Sequence, residues 1–372
     1  MQFSVALNDF QKHLQKVTPA VPSKSTLPVL EHFLIRAAGG AVTITATDLE
    51  LTITATLLAD VSAEGSALVP ARKLTDIVKA LAGAEGSVTF SRGEKYDITL
   101  KTGFGQYAMK GMSEDDFPEL PDFRGDAETF FPAADIMRIA DKTAFAVSTD
   151  EYKPAMTGVL LQFRGSQMKA AATDSYRLSR VIISAAEGRT FPDQLDVIIP
   201  ARMAELLRKV NSDARASISR THAQFTMDDA TIITRLIDER FPAYENVIPA
   251  DNDKMMVVNN RDIMAAIKRV SLFTNANSRQ IRFVITRDIV TVRGDDDESG
   301  NHASEEVRCE FNQDDMEIGF NYKFVEEALQ NMDIADTAAE SVFLFSSPTR
   351  AALLKNKEDD DSLLMLIMPV RL

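Results

Sequence analysis

The chain has 372 residues and a formal net charge of −14, and 45% of its residues are apolar. This composition is typical of globular proteins and excludes disordered and fibrous classes, while the length predicts two or three domains. The single cysteine, Cys309, has no partner for an internal disulfide, which favours a reducing compartment. The N-terminus is not basic and no run of about 18 apolar residues occurs, so we expect a soluble, cytoplasmic protein without a signal peptide or membrane span.

A strand that runs into a helix recurs three times, at intervals of about a third of the chain. It begins near Phe3, Phe130 and Met256, and each copy continues with apolar residues at helical spacing. A second strand–helix segment, with Pro at the helix start in two of its copies, recurs in the same way. Together these segments predict six helices, over residues 8–18, 71–82, 133–145, 201–211, 260–271 and 322–331.

Short alternating runs rich in Val, Ile and Thr lie between these helices, as in 41–46 and 289–292, and predict antiparallel strands. The predicted fold class is therefore α+β, with three tandem similar domains of two helices and antiparallel sheets each. Aromatic–Pro segments at 117–122 and 241–244 are typical of connections between domains. We place the three repeats at residues 1–124, 125–250 and 251–372.

Positive charge is concentrated in the six predicted helices. They contain fourteen basic and eight acidic residues, a net charge of +6 in a chain whose total is −14. Two interpretations remain open: these side chains lie on the wet faces of ordinary amphipathic helices, or the helices line one surface that faces a polyanion. The second arrangement would hold duplex DNA by attraction to its phosphates, without reading its sequence.

The sequence contains no recognisable catalytic or metal-binding motif. Its four histidines do not form an HExxH pattern, and neither a GxxxxGK[ST] loop nor a GxSxG elbow occurs. The acidic run Asp295-Asp-Asp297 reads as a solvated hairpin tip. We therefore predict no catalytic residue, no metal and no cofactor. Two alternatives stay open, an enzyme with an unrecognised acidic site and a three-domain scaffold that does not contact DNA.

The C-terminus, Leu364-Met-Leu-Ile-Met-Pro-Val-Arg-Leu372, is an apolar run that follows an acidic loop. It resembles the ending of the bacterial DNA polymerase sliding clamps, the β subunits of the replicative DNA polymerase III. Further segments resemble this family in the same order along the whole chain: Thr26-Leu-Pro-Val-Leu30, Thr47-Asp-Leu-Glu50, Val69-Pro-Ala-Arg-Lys73, Ala172-Thr-Asp-Ser-Tyr-Arg-Leu178 and Arg240-Phe-Pro-Ala-Tyr244.

The resemblance implies a head-to-tail homodimer that forms a ring around duplex DNA, with helices inside and sheets outside. It implies a non-catalytic processivity factor that binds the replicative polymerase and that an ATP-dependent clamp loader opens. Translesion polymerases, ligase and mismatch repair proteins are implied as further partners, and no membrane is involved.

The resemblance also implies a pocket between the second and third domains for a peptide with a Gln and a hydrophobic pair. Tyr176 and Asn246 depart from the family's more frequent His and Arg, which affects the peptide preference. The residues carried over to this pocket are Met156, Thr173, Ser175, Tyr176, Arg177, Leu178, Pro242, Asn246, Val247, Thr349, Ala351, Leu366, Ile367, Met368, Pro369, Val370, Arg371 and Leu372.

Two smaller groups of residues complete the expected sites. For the dimer contact we expect the apolar pair Leu272 and Phe273, whose alternative role is ordinary core packing. For the DNA contacts we expect Lys24, Arg72, Lys73, Arg138, Arg202 and Lys209.

Overall fold

The computed structural model describes residues 1–81, 86–120, 123–332, 339–357 and 361–372. Ala82 and residues 121–122, which belong to a predicted helix and a predicted connection, lie outside the described residues. The helices within the described residues are α1 (Leu7–Val17), α2 (Ala71–Ala80), α3 (Ala133–Thr143), α4 (Ala201–Val210), α5 (Asn260–Val270) and α6 (Tyr322–Gln330). The strands there are β1 (Gln2–Ala6), β2 (His32–Ala38), β3 (Ala41–Thr47), β4 (Leu51–Leu58), β5 (Asp60–Ala63), β6 (Gly65–Pro70), β7 (Ser87–Arg92), β8 (Asp97–Lys101), β9 (Gln106–Lys110), β10 (Ala127–Phe131), β11 (Gly158–Arg164), β12 (Gln167–Thr173), β13 (Arg177–Ser184), β14 (Leu195–Pro200), β15 (Ala214–Ile218), β16 (His222–Thr226), β17 (Ala230–Arg235), β18 (Lys254–Asn259), β19 (Gln280–Thr286), β20 (Ile289–Asp296), β21 (Asn301–Glu310), β22 (Met316–Asn321), β23 (Glu340–Phe345), β24 (Ala352–Asn356) and β25 (Leu363–Ile367).

All six predicted helices are present, and their ends lie within two residues of the prediction where the structure describes them. Their apolar spacing explains this agreement. In α1 the buried residues are Leu7, Phe10, Leu14 and Val17, which share one face of the helix. No helix within the described residues is long and apolar enough to cross a membrane.

The first compact unit comprises Met1–Ala133 and Lys209–Leu236. It contains a five-stranded sheet in the order β5-β1-β7-β8-β9 and an eight-stranded sheet in the order β10-β15-β16-β17-β4-β3-β2-β6. Helix α1 packs against α2 and against β4. The antiparallel pairing of β17 with β4 joins strands of the first and second predicted repeats in one sheet.

The second compact unit comprises Ala134–Arg208 and Ile237–Leu372. Its strands form one twelve-stranded sheet in the order β14-β11-β12-β13-β25-β24-β23-β18-β21-β20-β19-β22, and α5 packs against α6. Here β13 pairs with β25, which joins the second and third repeats. Because both long sheets cross from one repeat to the next, the compact units follow the sheets, and the repeat boundaries near 124 and 250 stay a prediction.

Candidate functional site

An apolar cluster lies under the strands where β13 meets β25. Leu178 on β13 is paired with Leu366 on β25, and Leu366 is paired in turn with Leu353 on β24. These side chains are 5% exposed or less. The buried members of the cluster are Leu160, Ala171, Leu178, Ile198, Tyr244, Ala351, Leu353, Leu364 and Leu366. We call the surface above this cluster the β13–β25 groove, bounded by residues 173–178, the connection 241–248 and the C-terminal residues 366–372.

A tight turn, residues 173–177, forms one edge of the groove. The Thr173 hydroxyl accepts a hydrogen bond from the Ser175 amide at 3.2 Å and donates to the Arg177 carbonyl at 2.6 Å. The Asp174 carboxylate accepts from the Tyr176 and Arg177 amides at 2.9 and 3.0 Å. Short polar side chains that bond their own backbone stabilise such turns, and Ser175 takes a positive φ of 82°. The turn leaves the Tyr176 ring 62% exposed.

The connection between the second and third repeats forms another edge. Tyr244 is buried in the apolar cluster, and its hydroxyl donates to the Gln162 side-chain oxygen at 2.8 Å. Burial raises the pKa of Tyr244 to about 12. This anchor leaves Pro242 half-buried and leaves Asn246 and Val247 exposed at the edge of the groove.

The last seven residues form the third edge of the groove. Leu366 and Ile367 are buried in β25, whereas Met368, Arg371 and Leu372 are exposed. The Met368 amide donates to the Tyr176 carbonyl at 2.8 Å. Pro369 and Val370 are half-buried, and the Val370 amide donates to the carbonyl of Gly319 on β22 at 2.9 Å. The C-terminal segment is thus tied down on both sides of Pro369.

Met156 lies beside the turn. Its sulfur accepts a hydrogen bond from the Ser175 hydroxyl at 3.3 Å, and its carbonyl accepts from the Ser148 amide at 2.8 Å. The Lys153 ammonium also reaches the Ser175 hydroxyl, at 3.3 Å. These contacts bring Met156, one of the predicted pocket residues, to the groove edge.

Ala351 and Thr349 take different positions in the structure. Ala351 is buried in the apolar cluster, whereas Thr349 is exposed in the turn before it. The Asn252 side-chain amide closes this turn, because it donates to the carbonyls of Leu344 and Ala351 at 3.0 and 3.1 Å. Sequence reasoning missed Asn252, since no local pattern links it to a turn far along the chain.

Arg177 differs most from the expectation of a groove wall. Only 11% of its side chain is exposed. The guanidinium pairs with Asp174 at 3.0 Å and with Glu327 on α6, and donates to the Phe145 carbonyl at 2.6 Å. It also lies over the rings of Phe145 and Phe324, at 5.4 and 4.8 Å from their centroids. All of these polar contacts are made to the protein itself.

The predicted DNA-contacting residues fall into two groups. Lys24, Arg72, Lys73, Arg202 and Lys209 are exposed. In contrast, Arg138 is half-buried and donates to the Ser362 hydroxyl at 3.1 Å.

The start of α2 carries an unusual charge pattern. Its N-cap residue, Pro70, supplies no side-chain cap, and its first turn contains no acidic residue. Arg72 and Lys73 lie there instead, next to the positive end of the helix dipole. Positive side chains at this end destabilise the helix when no anion is near, and they favour the binding of an anion such as a phosphate.

Several other helical bases are already paired with acids. Lys16 bonds Asp229 at 2.5 Å, and Arg208 bonds Asp141 at 3.0 Å. Arg269 forms an ion pair with Glu305 on β21. The net positive charge of the helices therefore overstates the charge that is available to a ligand.

Leu272 and Phe273 lie in a single 3-10 turn, Ser271–Phe273, directly after α5. Their side chains are 81% and 43% exposed. The alternative role in core packing is wrong for this pair, because the apolar face of α5 ends at the buried Val270.

Within the described residues, no three His, Cys, Asp or Glu side chains are grouped closely enough to hold a metal ion. The acidic run 295–297 spans the end of β20 and the start of the turn into β21, as expected for a hairpin tip.

Comparison with known proteins places this architecture among the sliding clamps. The models for the N-terminal, central and C-terminal domains of the DNA polymerase III beta subunit match residues 1–121, 131–243 and 245–371. The beta sliding clamps of Pseudomonas aeruginosa and Escherichia coli K12 are 28% and 27% identical to this chain, and each match covers the whole of both chains. A crystal structure of the P. aeruginosa clamp bound to griselimycin superposes with a TM-score of 0.94 at 26% identity, also over the whole of both chains.

The fold is that of a clamp protein, with three tandem α+β domains, and this part of the fold prediction is confirmed. Because consecutive family models cover almost all of its length, the chain belongs to the DNA polymerase III beta subunit family. It is thus a non-catalytic processivity factor of a DNA polymerase, as the resemblance implied.

Proposed function

We propose that two copies of this chain close head to tail into a ring that slides on duplex DNA and tethers the replicative polymerase through the β13–β25 groove. An ATP-dependent clamp loader, translesion polymerases, ligase and mismatch repair proteins bind the same groove through similar peptides. The protein works in the cytoplasm, on the nucleoid. The observation that carries this proposal is the repeated construction of the two sheet junctions within the chain.

At each junction the last strand of one repeat pairs with a strand of the preceding repeat, and the two partner strands occupy equivalent places in their repeats. Strand β17 pairs with β4, and β25 pairs with β13, both antiparallel. The equivalent strands that remain are β9, the last of the first repeat, and β21 in the third. Among the described residues β9 pairs only with β8, and β21 pairs with β18 only at its last two residues. An unpaired strand edge is a template for another chain.

The two free edges fit each other. If β9 of one copy pairs with β21 of another in the register of the two internal junctions, Met109 of the first copy lies opposite Asn301 of the second. The short helix with Leu272 and Phe273 contacts β21, and Phe104, which precedes β9, is 66% exposed. Pairing β9 with β21 of a second copy would bury these three exposed apolar side chains, and burial of apolar surface favours association. Because each copy has one edge of each kind, this contact is head to tail, and a ring forms where the rotation between copies closes, which in our proposal happens with two copies.

The helices supply the DNA-facing surface in this proposal. Exposed Arg72 and Lys73 at the uncapped start of α2 attract phosphates without base contacts. Lys24 lies nearby, because Ser23, the residue before it, accepts a hydrogen bond from Arg72 at 3.4 Å. A few such contacts on each short helix hold DNA weakly enough for the ring to slide.

The β13–β25 groove supplies the peptide site. Exposed Tyr176, Val247 and Met368 offer apolar surface to a hydrophobic pair, and the buried cluster that contains Leu178 and Leu366 supports this surface.

The test of the ring is the particle mass in solution, measured by sedimentation equilibrium. We expect twice the chain mass for the wild type and the chain mass for Leu272→Asp, because the new charge would be buried in the contact. The matched control is Leu58→Asp, which alters a leucine that is 87% exposed on β4 and stays dimeric. A wild type that is monomeric at every concentration, or a dimeric Leu272→Asp variant, would contradict the ring.

A further inference from the structure

Four planar groups lie next to one another beside the groove, in the order Phe145, Arg177, Phe324 and Tyr176. The Arg177 guanidinium lies over Phe145 and Phe324, at 5.4 and 4.8 Å from the ring centroids. The Tyr176 ring stacks on Phe324, with a centroid distance of 6.4 Å and an interplanar angle of 19°. The series links the segment after α3, the turn before β13 and helix α6. Its last member, Tyr176, is the one that faces solvent at the groove edge.

Arg177 connects the same three elements by polar contacts. It donates to the carbonyl of Phe145 after α3, to Asp174 in the turn and to Glu327 on α6. Hydrogen bonds between charged groups are stronger and more directional than neutral ones, and a planar guanidinium fixes the angle between its partners. Removal of one partner would therefore loosen the turn relative to α6.

The turn and α6 both control the edges of the groove. The Tyr176 carbonyl, one residue before Arg177, accepts the bond from the Met368 amide that fixes the C-terminal segment. Helix α6 packs beside β25, the strand that leads into that segment. A shift between the turn and α6 would thus change the width of the groove without removing any atom from its surface.

We propose that Arg177 is a positioning residue of the peptide groove: it holds the turn and α6 at the spacing that the peptide needs, and it does not contact the peptide. This inference rests on the proposed function, because it presumes that the β13–β25 groove binds the peptide. It replaces the expectation that Arg177 forms a wall of the pocket. The reason is that its donors are directed to Asp174, Glu327 and Phe145.

Positioning and direct contact differ in their kinetics. When only a fraction of the molecules has the groove in its binding-competent form, the apparent affinity and the association rate are reduced in proportion to that fraction. Removal of a direct contact instead raises the dissociation rate. The test is stopped-flow binding of a fluorescent synthetic peptide with a Gln and a Leu-Phe pair to full-length wild type, Arg177→Lys, Glu327→Gln and the double variant.

We expect Arg177→Lys and Glu327→Gln each to lower the association rate about tenfold while the dissociation rate stays within about twofold. The double variant should be no slower than either single variant, because both changes break one unit. Glu327→Gln leaves Arg177 in place, so it carries the test even if Arg177→Lys folds poorly. A matched control is Glu326→Gln, one residue earlier on α6, which we expect to bind as wild type does.

A raised dissociation rate in Arg177→Lys with no effect of Glu327→Gln would mean direct contact and would overturn the proposal. Unchanged association rates in both variants would overturn it as well. If the wild type itself does not bind the peptide, the assignment of the groove fails, and that result is distinct from a failure of the Arg177 inference alone.

Discussion

The backbone amide of Met368 donates a 2.8 Å hydrogen bond to the carbonyl of Tyr176. This bond extends the pairing of β25 with β13 by one residue beyond the pair Ile367 and Arg177. The C-terminal segment is therefore held at the edge of the groove by main-chain bonds that do not depend on its side chains.

The first sheet junction, where β17 pairs with β4, has an equivalent backbone hydrogen bond but different side chains. There the Arg235 amide donates to the Glu50 carbonyl, also at 2.8 Å, and the two side chains form an ion pair at 3.2 Å. Thr52 occupies the position that Leu178 has at the second junction. A hydrophobic pair gains free energy only where it meets apolar surface. One backbone arrangement thus occurs twice, and within the part of the chain that the structure describes the apolar cluster with Leu178 and Leu366 lies at the second junction.

We expect Gly319→Ala to weaken peptide binding about tenfold, which corresponds to about 1.4 kcal/mol. A Cβ at this position would lie 2.7 Å from a Leu372 methyl carbon and 3.0 Å from the Val370 carbonyl oxygen, so the Leu372 side chain must shift and the Val370 backbone must give slightly. The measurement is equilibrium binding of the fluorescent peptide, with the particle mass as a check on assembly.

The control for this variant is Gly103→Ala, where a Cβ meets no atom within 4 Å and the backbone φ is ordinary. It should bind the peptide as the wild type does. Normal peptide affinity in Gly319→Ala, together with normal affinity after deletion of Met368–Leu372, would mean that the last residues do not form part of the site.

The helices and the repeat could be predicted from the sequence because both are local or periodic features. The apolar spacing of Phe10, Leu14 and Val17 fixes the buried face of α1 regardless of what packs on it. The identity of the family followed from short motifs in a fixed order.

The strand pairs between repeats and the role of Arg177 could not be predicted in the same way. Pairing of β17 with β4 depends on which edges meet after each repeat has folded, and alternating runs of Val, Ile and Thr fit many partners. Arg177 is in a motif at the groove, but its partner Glu327 lies on a helix of the next repeat. No spacing in the sequence links them.

The ion pair of Lys16 and Asp229 should make the stability of the first unit pH-dependent. Burial opposes ionisation of Asp229, but the hydrogen bond and charge of Lys16 prevail, so the pKa of this carboxyl is lowered. Because its pKa is lowered, ionised Asp229 stabilises the folded state at pH values above the usual pKa of Asp, near 4. This stabilisation is lost as the pH falls through the pKa that Asp229 has in the folded state. Lys16→Met should therefore lower the Tm at pH 7 and have little effect near pH 2.

Thermal denaturation of wild type and Lys16→Met across this pH range tests the prediction. Lys12→Met is the control, because it removes an exposed lysine from the same helix and should leave the profile unchanged. A difference in Tm that is as large at pH 2 as at pH 7 would show that the pair does not carry the effect.

Tyr244 should make the protein sensitive to alkali. Burial raises its pKa to about 12, so the folded state keeps a proton that the unfolded state loses near pH 10. Stability from this group is present below pH 10 and is lost as the pH rises towards 12. Tyr244→Phe should cost about 1 kcal/mol at pH 7, because it removes the bond to Gln162, and should show a shallower fall in denaturant stability above pH 10. Parallel alkaline profiles for the two proteins would contradict the burial argument.

Reversal of charge at Arg72, Lys73, Arg202 and Lys209 should shorten the lifetime of the loaded ring on a nicked circular plasmid. These side chains are exposed on α2 and α4, and removal of each cation that faces a phosphate lowers the affinity for DNA and its dependence on salt. The control reverses the exposed bases Arg124, Arg215, Arg220 and Arg287, which lie outside the helices and leave the net charge of the variant the same. We expect retention that falls severalfold only in the helix variant, with both proteins dimeric and folded. Equal retention of the two variants would show that the helices do not face the DNA.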